Sequence, residues 1–268
     1  MSASKRLETA REAFERRDKA SSAKAHDPKA IAQAAEESHG RASDQYIGNM
    51  VYGGLDGIIT TFAVVSGVAG AELGAGVILI MGLANLLADG LSMAVGAYLS
   101  SRSEQEYYEK ERAREAWEVD EFPEGERAEL IEIYQGQGYS EEEAQQLVGI
   151  ISRDKERWLD TMMVVELGML EDDKKPVLSA LTTLASFIVA GSVPLLIYFL
   201  GLITPVNPAL SFPISLGLSA LALFGLGAAK VFITERNFLK SGLEMLIVGG
   251  LAASVAYLVG NLLKGFGG

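Results

Sequence analysis

GGLDGIITTFAVVSG, residues 53–67, decides the fold. It reads as the middle of a membrane span, yet it carries Asp56. An acid at mid-bilayer costs about 2.5–3.5 kcal/mol even on the lenient insertion scale. It is tolerated where it faces a bundle interior, binds a cation or takes up a proton. Close to the membrane surface it would simply be hydrated.

Working outward, the stretch lies in the first of five apolar blocks, at about residues 50–71, 76–100, 177–201, 210–229 and 242–263. Each can cross a hydrocarbon core, which needs roughly 20 helical residues. The first two blocks are the least apolar, holding Gly, Ser, Thr, Asn and Asp. Such residues belong against other helices or along a wet path, not against lipid. Gly53 and Gly57, four apart, permit close helix approach.

Basic residues set the orientation. Nine Lys/Arg precede block one, ten lie between blocks two and three, and Lys230, Arg236 and Lys240 lie between blocks four and five. The intervening turns ELGAG and LITPVNPALSFP have none. The N-terminus, the middle segment and the 230–240 loop are therefore expected in the cytoplasm. Lys264 alone falls on the other side. The sequence predicts an all-α integral membrane protein with these divisions: a polar cytoplasmic arm (1–49), transmembrane helices 1–2 (50–100), an acidic cytoplasmic three-helix domain (101–175) and transmembrane helices 3–5 (176–268).

The formal net charge is -12. Residues 101–175 hold 22 Asp/Glu against 10 Lys/Arg, so this segment supplies all of it. A chain so acidic attracts cations rather than nucleic acid. There is no cysteine, which excludes disulfides, thiolate zinc sites and cysteine nucleophiles. The arm has no apolar h-region, and a cleaved signal peptide is not expected. Its His26 and His39, the only histidines, lack a partner at ligand spacing and read as solvated. With no nucleophile–base pair, phosphate loop or HExxH, an enzyme is not expected.

Within block two, Asp89 and Met93 are four apart on one helical face. A carboxylate beside a thioether suits a divalent transition metal, because soft sulfur discriminates against magnesium and calcium. Met is also an ordinary core residue, and that reading stays open. In the acidic segment, Glu115 and Glu118 are i,i+3, Glu126 and Glu129 repeat the spacing, and Met162, Met163 and Glu166 follow. Carboxylates so spaced can converge on a metal from neighbouring helices. They are equally what a Glu-rich surface helix presents. SEEEAQQLVGIISRDKERWLDTMMVVELGMLEDD opens with a capping-box pattern, Ser140 and Glu143, and reads as one helix. SEQEYYEKERAREAWEVDEF runs on from block two without Pro or Gly, which predicts one long helix leaving the membrane.

Taken together, GGLDGIITTFAVVSG, ADGLSMAVGAYLSSRSEQEYYEKE (residues 88–111) and the acidic insert resemble the vacuolar iron transporter family, which includes nodulin-21-like and many prokaryotic proteins. The resemblance covers roughly residues 44–266. It implies a homodimer with five spans per subunit that exchanges Fe2+, sometimes Mn2+ or another divalent transition metal, for protons and carries metal out of the cytoplasm. It places Asp56 and Met93 on the translocation path. It gives the cytoplasmic domain Glu115, Glu118, Glu126, Glu129, Met162, Met163 and Glu166 as metal ligands. Many members have a glutamate in the second-span motif where this chain has Ala97. Asp89, two turns earlier, is the candidate substitute on the path. The implied membrane is the plasma membrane in a prokaryote and the vacuolar membrane in a eukaryote. Two rival readings are a membrane-anchored protein that buffers iron without transport and a channel without proton coupling.

Overall fold

The computed structural model describes residues 5–29, 46–229 and 237–266. His39, Lys230 and Arg236 fall outside the described residues. The chain divides into two compact units, Met1–Ala97 with Val177–Gly268, and Tyr98–Pro176. Within the arm, α1 (Lys5–Glu15) and α2 (Lys19–Ala25) pack on each other. The Asp18 carboxylate starts α2 by accepting from the Ala20 and Ser21 amides. His26 ends α2, its ring nitrogen 2.8 Å from the Ser22 carbonyl.

Among the described residues, five helices are long and apolar enough to cross a membrane. They are α3 (Ile47–Gly70), α4 (Ala75–Glu121), α8 (Pro176–Gly191) with its continuation α9 (Leu196–Ile203), α10 (Pro208–Ala229) and α11 (Phe238–Leu263). The long-helix expectation holds. α4 is unbroken for 47 residues, about 70 Å at 1.5 Å per residue.

Glycine explains how the spans approach. A Cβ on Gly53 would lie 2.6 Å from the Thr183 carbonyl oxygen, and one on Gly57 would lie 2.5 Å from that of Phe187. A Cβ on Gly191 would in turn meet the Gly57 carbonyl oxygen at 2.8 Å. α3 and α8 thus touch backbone to backbone, which only residues without side chains allow. At the other end of α3, Val65, Val68, Ile78, Leu79, Leu195 and Ile197 form a buried cluster.

One feature departs from the sequence reading. The third span is interrupted, α8 passing through a 3-10 turn (Val193–Leu195) before α9. Pro194 has no N–H to donate and cannot continue the ladder. Its carbonyl instead accepts from the buried Ser215 hydroxyl of α10 at 2.6 Å. Lys264 forms an ion pair with Glu72 in the turn between α3 and α4. Glu72 holds that turn at φ 56°.

The second unit contains the end of α4, α5 (Pro123–Gly136), α6 (Glu141–Ile151) and α7 (Lys155–Val165). The expected three helices are therefore four. The stretch read as one helix from Ser140 breaks at Ser152–Asp154, because the Asp154 carboxylate accepts from the Arg157 amide at 2.9 Å and starts a new helix. The Ser140–Glu143 capping box is formed. Val119, Leu130, Val148, Trp158, Leu159 and Met162 make the core of this unit. Arg112 bridges α4 to Glu156 and Asp160 of α7, and Lys155 pairs with Asp120.

Candidate metal centre

The two units carry acids of different kinds. On α3, the less buried stripe runs Tyr52, Asp56, Ile59, Thr60 and Ala63, and the opposite side is packed. Asp56 is half-buried on this stripe. The Thr60 hydroxyl bonds the Asp56 carbonyl at 2.9 Å, leaving the carboxylate uninvolved. On α4, Asn85, Asp89, Met93 and Ala97 recur every four residues, all half-buried, with Leu86, Gly90 and Ala94 buried beside them. Asp89 lies within electrostatic reach of Asp56. Among the described residues no Lys or Arg forms an ion pair with either acid. The buried amide nitrogen of Asn85 has no hydrogen-bond partner there either. Asn85 was passed over at the sequence level, although its four-residue spacing from Asp89 was readable. An apolar hollow of about 910 Å³ opens among Met50, Gly54, Ala185, Val189 and Leu226. Its lining carries no carboxylate.

In the second unit the scattered glutamates come together. Glu115, Glu118 and Glu126 each place a carboxylate oxygen within 4.8 Å of the others, and so do Glu126, Glu129 and Glu166. Glu126 belongs to both groups, so α4, α5 and the C-cap of α7 build one cluster of five acids. Its inner members are out of water, with Glu115 1 % and Glu126 5 % exposed. Among the described residues, Glu115 meets one cation, the Arg114 guanidinium, and Oε2 of Glu126 has no hydrogen-bond partner. Buried carboxylates with so little compensation are costly unless they take up a proton or a further cation.

The electrostatics follow. Burial, reinforced by the charge of Glu166, pushes the Glu115 carboxyl up to about 7 although Arg114 opposes the shift. Burial and the charge of Glu115 push Glu126 up to about 7. Glu166 is raised by burial and by Glu129. The donor set is hard oxygen, which Fe2+ and Mn2+ accept. Met162 and Met163 are fully buried in the last turns of α7. Met162 packs with Val119, Leu130 and Trp158. The Met162 carbonyl accepts the Glu166 amide at 3.0 Å, and Gly168, at φ 64°, follows. Sequence reasoning missed Arg114 and Glu111, which adjoin the cluster on α4. Their one-turn spacing from Glu118 and Glu115 was the available signal.

The chain is similar to known proteins along most of its length. A family model described as the VIT family matches residues 47–261. The vacuolar iron transporter of Toxoplasma gondii is 37% identical over 268 residues, covering 96% of this chain and 88% of that protein. The vacuolar iron transporter of Plasmodium falciparum is 33% identical, covering 97% of each. Vacuolar iron transporter 1 of Oryza sativa subsp. japonica is 34% identical over 80% of this chain and 84% of its own length. These relatives are named as transporters, a class outside the enzymes. With five apolar spans and this similarity along most of its length, the chain belongs to the VIT family of multi-pass membrane proteins.

Proposed function

We propose that the protein moves a divalent transition metal, Fe2+ first and Mn2+ second, out of the cytoplasm in exchange for protons, working as a homodimer. One observation carries the reading: Asp56 and Asp89 lie within electrostatic reach of each other on half-buried stripes of two spans, with no cation paired to them among the described residues. Two such acids in a low-dielectric setting are held together best by a dication and are released from it by protons. Met93, one turn from Asp89, offers sulfur to a transition metal and a poor ligand to magnesium. The names of the relatives support iron as the cargo.

The stripe bearing Asp56 is half open in a single chain, while the reverse of α3 is packed. A second copy seated on that stripe would enclose the acids from lipid, and this supports the homodimer. The distribution of basic residues supports the N-terminus and the acidic unit on the cytoplasmic side, where the cluster of Glu115, Glu118, Glu126, Glu129 and Glu166 would collect metal. Met162 and Met163, buried in the last turn of the helix that Glu166 caps, would add sulfur to this set.

The test is flux into proteoliposomes under an imposed pH gradient. Wild type takes up Fe2+ only with the gradient, and Asp56→Asn abolishes uptake without changing the elution volume of the purified protein. Uptake in Asp56→Asn at the wild-type rate removes the translocation reading. Metal bound by the full chain with no flux at any gradient favours a buffering role, for which the acidic cluster alone would suffice.

A further inference from the structure

Arg114 sits among the acids of the second unit and points its guanidinium into them. Its Nη2 lies 2.5 Å from Glu115 Oε1, its Nη1 contacts Glu118, and its Nε lies 3.0 Å from Glu111. Glu115 and Glu118 are two of the three acids whose oxygens converge with Glu126. Glu111 belongs to neither converging group. The guanidinium thus spans the cluster with one edge and an outside acid with the other.

We propose that Arg114 is a placeholder cation: it neutralises Glu115 and Glu118 while the metal is absent, and metal entry displaces it onto Glu111. The proposal rests on the reading of the five-acid cluster as a metal site. Three observations support it. Glu115 is 1 % exposed, and Arg114 is the one cation paired with it among the described residues, so its charge has no other close compensation there. Arg114 is 40 % exposed, so its head group has a route to water when it leaves. Glu111 is one turn back on the same helix and 14 % exposed, close enough to hold Nε while the Nη atoms swing away. A dication and a guanidinium cannot share one carboxylate pair without strong repulsion. Arg114 therefore competes with the metal, setting an affinity from which the metal can also depart.

The experiment is anaerobic titration calorimetry of Fe2+ into the purified full chain at pH 7.5. Arg114→Gln is expected to bind about tenfold more tightly than wild type, which corresponds to 1.4 kcal/mol. Glu111→Gln, which removes the parking acid, is expected to bind several-fold more weakly, roughly 1 kcal/mol. Glu111→Gln made in the Arg114→Gln background is expected to change nothing, since the two act as one unit. The metal-induced rise in melting temperature follows the same order. If Arg114 merely supports the fold, Arg114→Gln binds equally or less tightly, and that result overturns the proposal while leaving the metal site standing. Fe2+ binding absent from wild type and all variants overturns both. Should Arg114→Gln not fold, Arg114→Lys, which keeps the charge but loses the fork, is expected to bind a few-fold more tightly, about 0.5–1 kcal/mol. Unchanged or weaker binding in that variant rejects the role.

Discussion

Glu115→Gln is expected to make the metal-free protein more stable at pH 8 and to leave it unchanged at pH 5. Glu115 is almost fully buried, and its carboxyl is raised from the ordinary 4.5 to about 7, chiefly by burial. A raised carboxyl means the folded state holds the proton more tightly than the unfolded one. That contribution to stability is complete below pH 4.5 and is lost as pH rises through 7. The difference between 4.5 and about 7 amounts to roughly 3 kcal/mol at 1.36 kcal/mol per tenfold in proton affinity. Glutamine mimics the protonated acid and retains this stability at pH 8. For a unit of this size each kcal/mol moves the midpoint by about 4–8 °C, so the second unit should melt on the order of 10 °C higher. The assay is differential scanning fluorimetry of the full chain in detergent with chelator, from pH 5 to pH 8. With saturating Mn2+ the order reverses at pH 8, because wild type gains from the metal and the variant lacks a ligand. A wild-type melting point that does not fall between pH 5 and pH 8, or a variant less stable than wild type at pH 8 without metal, refutes the reasoning.

The spans offer two further tests. Gly57→Val forces side-chain atoms onto the Phe187 carbonyl, where a Cβ alone would already lie at 2.5 Å. Overpacking of this kind costs about 1–3 kcal/mol, read as a lower melting point and a broadened gel-filtration peak; an unchanged melting point would mean that α3 and α8 are not in contact. Ser215→Ala removes the 2.6 Å hydrogen bond to Pro194, and a loss of about 1 kcal/mol is expected with Fe2+ flux retained. A variant as stable as wild type would show that the interrupted third span does not rely on that bond.

The sequence made the spans legible because runs of about 20 apolar residues have one cheap solution in a bilayer. The i,i+3 spacing of Glu115 with Glu118 and of Glu126 with Glu129 marked two faces, but not that they would meet. Their convergence depends on how α4, α5 and α7 pack around Leu130 and Trp158, which is a tertiary property. The division of the third acidic helix was missed because Ser152 and Arg153 carry no breaker. Asp154 reads as a cap only once its carboxylate is seen to accept the Arg157 amide. Arg114 was hidden for another reason. Along a charged helix an arginine among glutamates is the ordinary surface pattern, and only the burial of Glu115 beside it separates a neutralising cation in an acid cluster from a solvated one.

The closeness of α3 and α8 has a consequence for any transport cycle. Where carbonyl oxygens face bare glycines at van der Waals range, there is no slack for sliding or rocking without opening a void in the bilayer interior. These two segments therefore travel as a single block, with Asp56 fixed to it. If Asp56 carries cargo as proposed, the groups that approach it would have to move, rather than the acid itself.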